Sequence, residues 1–315
     1  MATQLGVRDA VASAPPNELS GGHSAGAGDA KQTPPYRVRS DIRLVDGAIP
    51  LTWWTFAPNF GDLLSPYLVR ALTGLEVKLI DKYPSVPGIA HRLAYLVRAR
   101  HQFSYLAVGS IINRADAKSV VWGSGAFGTE HSSNLSRGAS YRAVRGPLTR
   151  NLLRLAGIDC PQTYGDPALL MPTVYRPAVP KTHRVGVIVR HSERDRLRAR
   201  TDDDVLLIDM RRDDIETAIS DMLSCERLVA ASLHGLILAD AYGIPSAWLS
   251  SNTPKGLEFK FDDYFLSIDK VRRPQEVDFS VPRLTNAQLD RLTFDDRPIK
   301  FDRAALLEAC PFIEP

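Results

Sequence analysis

The sequence predicts an α/β fold: two Rossmann-like halves, each a parallel doubly wound sheet, with a ligand cleft between them. Three observations predict it. Short apolar runs alternate with stretches of helical spacing from about residue 50 to 250. A proline-rich break at 172–182 (PTVYRPAVPKT) interrupts that rhythm, which then restarts. The chain has 315 residues, of which 44% are hydrophobic and 24% charged. That is an ordinary globular composition, with length for roughly two domains of about 150 residues each.

The elements follow in order. Leu51–Phe56 (LTWWTF) reads as a strand, Asn59-Phe60-Gly61-Asp62 as a turn, and Leu63–Leu72 as a helix stopped by Gly74. Val77–Ile80 is the next strand. Tyr105–Val108 runs into Gly109-Ser110, and Ser119–Trp122 runs into Gly123-Ser124-Gly125. Tyr141–Val144 is a strand, and Pro147–Ala156 a helix that Pro147 opens and Gly157 ends. After the break, Arg184–Arg190 (RVGVIVR) has a buried-strand pattern and Val205–Asp209 is a strand. Asp213–Cys225 fits an amphipathic helix. Arg227–Ala231 is a strand, Leu233–Tyr242 a helix and Ser246–Leu249 a strand.

Residues 1–35 are a different material, rich in Ala, Gly, Ser and Pro and nearly free of large apolar side chains. Such a segment cannot bury enough surface to offset its ordering entropy, so a disordered tail is expected there. The halves are then residues 36–175 and 176–315, with the last helix free to pack back on the first half. In such a fold the ligand sits at the carboxyl ends of the strands.

Composition excludes several function classes. Lys+Arg 39 against Asp+Glu 36 gives a net charge of +3, far from the basic excess of a dedicated nucleic-acid binder. The 3 cysteines lie far apart and form no CxxC, so neither a disulfide framework nor a zinc site is indicated. No apolar run approaches the roughly 18 residues of a membrane span, and the N-terminus lacks signal-peptide character. A cytoplasmic location is expected. No GxGxxG, GxxxxGK[ST] or GxSxG is present, so no dinucleotide, P-loop or hydrolase reading is licensed.

Candidate site residues lie where strands meet helices. Ser232 is a natural N-cap, and Leu233, His234 and Gly235 open the following helix. Their free N–H groups and the helix dipole suit a phosphate or carboxylate. His234 either packs there, or binds an anion and acts as a general acid. Arg145 stands at a strand end before a Pro-opened helix, where a guanidinium can grip an anion in bidentate fashion, or lie on the surface. Asp62 reads first as a helix cap, with cleft-facing contacts from Asn59 and Asp62 to polar hydroxyls as the alternative. Ser124 lies in a small-residue turn that lets a ligand approach the backbone. Asp166 is a cap, a turn residue or a carboxylate base. Arg190, His191 and Lys255 are further charged candidates, and Lys260 is expected in the loop before Asp262-Asp263-Tyr264.

Taken together, NFGD (59–62), VVWGSG (120–125), YRAVRGPLT (141–149), YGDPALLM (164–171), SLHGLILADAYGIP (232–245) and KFDDYF (260–265) resemble the polysaccharide pyruvyltransferase family, in its order. The style is closest to the bacterial exopolysaccharide ketal-pyruvyltransferases. The resemblance implies a GT-B-like arrangement of the two halves, with the acceptor on the first and the donor on the second. It implies transfer of pyruvate from phosphoenolpyruvate to a sugar hydroxyl pair as a cyclic 4,6-ketal, with release of phosphate. The implied acceptor is a lipid-linked saccharide, which would bring the chain to the inner face of the membrane. No cofactor or metal is implied. Arg145 and His234 match the family's donor-binding Arg and His. Asp62 or Asp166 would be the base, and Asn59, Asp62 and Ser124 would meet the acceptor. Many members carry Arg two residues before the His, where this chain has Ser232. The expected replacement cation is Arg190, His191 or Lys255. A nucleotide-sugar glycosyltransferase, or a non-catalytic anion- or glycan-binding protein on the same scaffold, are the alternative readings.

Overall fold

A computed structural model describes residues 34–55, 59–82, 102–188, 200–250, 258–278, 281 and 283–315. The strands are β1 (Arg37–Val38), β2 (Ile49–Thr52), β3 (Val77–Leu79), β4 (Ser104–Leu106), β5 (Ser119–Trp122), β6 (Ser140–Ala143) and β7 (His183–Ile188), followed by β8 (Arg200–Thr201), β9 (Val205–Ile208), β10 (Cys225–Ala230), β11 (Ser246–Trp248), β12 (Arg283–Leu284) and β13 (Ile313–Glu314). The helices are α1 (Phe60–Thr73), α2 (Pro147–Leu155), α3 (Ile215–Leu223), α4 (Leu233–Tyr242), α5 (Phe259–Ser267), α6 (Asn286–Leu289) and α7 (Arg303–Glu308).

Two parallel sheets dominate. The first has the order β3-β2-β4-β5-β6 and the second β11-β10-β7-β9. Counted in chain order within each sheet, both begin 2-1-3-4, the order of a doubly wound sheet. Strands buried on both faces explain it: Leu51, Leu106, Val121, Val187 and Val229 are all buried, as continuous apolar runs require.

The order locates the switch points, where neighbouring connections leave in opposite directions. In the first sheet this is between β2 and β4, and in the second between β7 and β10. The turn 59–62 follows β2, Gly109-Ser110 follows β4, and Ser232–Gly235 follows β10. Residues after β7, including Arg190 and His191, lie outside the described residues, as does Lys255.

The sheets share one apolar core, which includes Ile49 and Leu51 of the first and Ile188 and Leu228 of the second. A 3₁₀ segment, Pro167–Thr173, packs against both α1 and α4. The amide of Phe60, first in α1, donates to the carbonyl of Met210, just past β9 (2.9 Å). The C-terminal residues return to the first sheet. Trp122 Nε1 donates to the Leu306 carbonyl (2.8 Å), Phe312 meets Trp122 edge-on, and β13 pairs antiparallel with β1.

Some boundaries differ from expectation. The strand expected at 51–56 is Ile49–Thr52 and ends before the tryptophans. Helix α1 begins inside the expected turn, at Phe60, because Asn59 supplies the cap. Helix α5 was expected as a loop around Lys260, which instead stands in its first turn. Short apolar runs bounded by charge give weak helical periodicity, and α5 is held by tertiary packing on α2.

Candidate active site

The first helical turns of α1 and α4 meet. Gly61, the second residue of α1, packs so closely on His234 that a Cβ built there would overlap Nδ1 and lie 2.8 Å from Cγ. Only a residue without a side chain leaves the imidazole this place. The switch points of the two sheets are thereby brought to one spot.

Asn59 is the N-cap of α1: its Oδ1 accepts from the Gly61 amide (3.4 Å), and its Nδ2 donates to Asp62 Oδ2 (2.6 Å). The cap role expected of Asp62 therefore belongs to Asn59, since the chain enters the helix one turn earlier. Asp62 is 9% exposed. Burial pushes its carboxyl up to about 6, against the opposing pull of the Asn59 amide and the charges of Arg114 and Lys260. A carboxyl poised there changes protonation near neutral pH. Its Oδ1 faces Gly109, in the turn after β4.

His234 is half-buried, and its Nε2 is fully shielded, with no hydrogen-bond partner among the described residues. Burial, with the charges of Lys260 and Arg145 beside it, pushes the imidazole down to about 3. The ring is therefore neutral near pH 7 and can act as a general acid only once a bound anion raises its pKa. Ser232 occupies the N-cap position of α4, but its side chain makes no capping hydrogen bond, contrary to expectation.

Arg145 is wholly buried rather than presented at a strand end. Its Nε donates to Asp263 Oδ2 (3.0 Å), its Nη1 to Ser110 Oγ (2.6 Å) and its Nη2 to the Ala126 carbonyl (2.6 Å). Asp263 also accepts from the Thr149 amide (2.8 Å) and hydroxyl (2.6 Å). This network ties β6, α2, α5 and the turn after β4. The small residues at 123–125 serve it: a Cβ on Gly125 would sit 2.6 Å from Arg145 Nη1. The expected room for a ligand there is filled by the guanidinium. Ser124 is likewise buried, with its hydroxyl donating to the Ala107 carbonyl (2.6 Å).

Asp166 caps the 3₁₀ segment through the Ala168 amide (3.0 Å) and is fully buried. Its carboxyl is pushed up to about 6, burial outweighing the Ala168 amide and Arg145. Its second oxygen has no partner among the described residues.

The structure thus brings together Asn59, Asp62 and His234, with Leu233 and Gly235 in the same helical turn. It sets Arg145 and Ser124 behind them as supports. Residues the sequence reading did not single out complete the surroundings. Ser110 is positioned by Arg145, and Asp263 neutralises Arg145. Arg114 is 6% exposed and has its guanidinium 4.7 Å from the ring centre of Trp54. Ser110 was visible only as part of a turn after a strand, and Asp263 only as part of KFDDYF. Their partnership with Arg145 spans 35 and 118 residues.

Among the described residues, no group of three or more His, Cys, Asp or Glu side chains converges as metal ligands do. None of their helices is long and apolar enough to cross a membrane. The three cysteines are buried and unpaired, with thiols raised to about 12 (Cys160 and Cys310) and about 11 (Cys225) by burial.

A protein of Acanthamoeba polyphaga mimivirus named "Uncharacterized protein L143" is 31% identical over 179 residues, 53% of this chain. The matched part spans 61% of that protein's length. A family model described as polysaccharide pyruvyl transferase matches residues 59–253. Its span opens on the capping Asn59 and runs through Asp62, Arg145, Asp166 and the Ser232–Gly235 turn. The chain belongs to the polysaccharide pyruvyl transferase family.

Proposed function

We propose that this chain transfers pyruvate from phosphoenolpyruvate to two hydroxyls of one sugar in an exopolysaccharide repeat unit, forming a cyclic ketal and releasing phosphate. The observation that carries the reading is the contact of Gly61 with His234 where the first turns of α1 and α4 meet, which sets Asp62, the next residue, in the same place. Family membership supports the reaction class. The two parallel sheets are read as Rossmann-like halves in a GT-B-like arrangement, with the acceptor on the first and the donor on the second. The acceptor is taken to be lipid-linked, met at the inner face of the membrane.

Phosphate and carboxylate of the donor settle at the α4 N-terminus, where unbonded amides and the dipole favour negative charge. His234 Nε2, buried without a partner, hydrogen-bonds the donor. The donor's charge raises the imidazole pKa, so that it takes up the proton needed by the methylene carbon. Protonation there leaves an oxocarbenium-like centre at C2, which one sugar hydroxyl attacks. Asp62, ionised above about pH 6, accepts that hydroxyl's proton. The C2–O bond to phosphate then breaks, and the second hydroxyl closes the ketal at C2. Each sugar hydroxyl loses one proton, the methyl group gains one and phosphate leaves with the other. Asn59 orients Asp62 and stands beside the acceptor. Arg145 acts at one remove, by fixing Ser110.

Incubation with phosphoenolpyruvate and candidate lipid-linked oligosaccharides tests the reading. The expected product has gained the mass of one pyruvic acid less one water, with one phosphate released per product. Activity with a nucleotide sugar and none with phosphoenolpyruvate would overturn it.

A further inference from the structure

Arg145 holds one hydroxyl of the turn after β4 from behind. Its Nη1 donates to Ser110 Oγ (2.6 Å), so a lone pair of that oxygen is taken and the hydroxyl proton must point elsewhere. No acceptor among the described residues takes that proton. A hydroxyl that accepts from a guanidinium is also a stronger donor, because hydrogen bonds in a chain polarise one another. Arg145 is wholly buried and Ser110 only half-buried, which leaves the proton for the open side.

The turn is fixed against the helix that carries Asp62. The Val108 amide donates to Ser65 Oγ of α1 (3.3 Å), three residues after Asp62 and so on the same helix face. The Gly125 amide donates to the Gly109 carbonyl (3.0 Å) and holds the turn from its other side. A Cβ built on Gly109 would stand 3.6 Å from Asp62 Oδ1, so the carboxyl lies against the residue next to Ser110. Asn59 occupies Oδ2 and leaves Oδ1 toward this turn.

A carboxylate that accepts and a hydroxyl that donates thus stand at one turn. Two hydroxyls of one sugar satisfy both: one gives its proton to the carboxylate, and the oxygen of the other accepts from the serine. An anionic ligand does not suit the pair, because it would meet the carboxylate. We infer that Ser110 binds the acceptor, its hydroxyl turned outward by Arg145 to hold the second sugar hydroxyl while Asp62 takes the proton of the first. This rests on the proposed function for the nature of the acceptor. It gives the buried Arg145 a part in binding the acceptor.

The test is steady-state kinetics of the full chain with phosphoenolpyruvate and lipid-linked oligosaccharides ending in galactose, glucose or mannose, beside a thermal melt. Ser110→Ala should raise the KM for the converted oligosaccharide about tenfold, as the loss of one strong hydrogen bond does. The KM for phosphoenolpyruvate should stay within about twofold of the wild type. Ser110→Cys keeps an atom for Arg145 to meet but donates weakly, so it should match Ser110→Ala. Ser110→Thr keeps the hydroxyl and should recover most of the wild-type KM. A serine that merely steadied Arg145 would lower the melting temperature and move both KM values together. That result, a raised KM for phosphoenolpyruvate alone, or a wild-type acceptor KM in both Ser110→Ala and Ser110→Cys would overturn the inference and leave the proposed function standing. A wild-type chain that converts none of these oligosaccharides with phosphoenolpyruvate would overturn both.

Discussion

Gly61 and His234 are in contact across 173 residues of sequence, and the missing Cβ at Gly61 is what lets the imidazole lie against α1. Substitution with Ala separates site from fold. Gly61 sits inside a helix, where Ala gains up to about 1 kcal/mol of helical propensity. The new Cβ must displace the His234 ring. Gly61→Ala should therefore lose activity by about tenfold or more while keeping its melting temperature within a few degrees. Steady-state rates beside a thermal melt check it, and a fully active variant would remove His234 from the reacting centre.

Asp62 stores instability at neutral pH. Its folded carboxyl titrates at about 6 rather than 3.8, so the folded state resists ionising it. Below pH 3.8 the carboxyl is protonated in both states and the penalty vanishes. The penalty grows as pH rises and is complete above about 6. At about 1.4 kcal/mol per pH unit, the ceiling is about 3 kcal/mol. Asp62→Asn should be more stable than the wild type in urea at pH 7.5, by about 1–3 kcal/mol, and indistinguishable near pH 3.5. Its activity should be lost, as when a strained site residue is relaxed.

His234 runs the opposite way with pH. Its folded pKa of about 3 lies below the ordinary 6.5, so the unfolded chain takes up a proton that the folded chain refuses. Stability is therefore lost as pH falls from about 6.5 toward 3. Since the side chain is half-buried, the loss by pH 4.5 is discounted to about 1–2 kcal/mol. Urea unfolding at pH 7 and pH 4.5 should show a smaller drop for His234→Gln than for the wild type. Saturating phosphoenolpyruvate should move the wild-type imidazole titration upward, seen by NMR.

Arg145 should behave as a supporting residue. Three nitrogens serve three directions, which a lysine cannot reproduce. Arg145→Ala strands the buried Asp263 carboxylate and should cost about 3–5 kcal/mol. Arg145→Lys should also unfold at clearly lower urea. Unchanged stability with a selectively raised KM for phosphoenolpyruvate would instead make Arg145 a direct donor ligand.

Much of the local structure was legible in the residues themselves. Ser119–Trp122 and Leu233–Tyr242 carry their own signals, an apolar run ending in glycine and an apolar helix ending in Gly243. The turns that hold Asp62 and His234 were legible as junctions of strand and helix, but their caps were not: Asn59 caps α1 and Ser232 makes no capping bond on α4. Asn59 and Asp62 could exchange cap roles on paper, because either carboxamide or carboxylate can accept an amide. The observed choice followed from where Phe60 finds the Met210 carbonyl.

What the sequence by itself determined is the succession of strands and turns, and with it the two places where a ligand could meet a carboxyl sheet edge. These are properties of neighbouring residues and of period. Only the tertiary structure decided that Gly61 would receive His234, that Asp263 would cancel Arg145, and that the charge of Lys260 would act on both Asp62 and His234. Charge and burial depend on partners brought from 26 to 198 residues away, as Lys260 is to His234 and to Asp62. No local pattern records the dielectric or the counter-charge that such a partner supplies, and those two quantities set what each side chain can do.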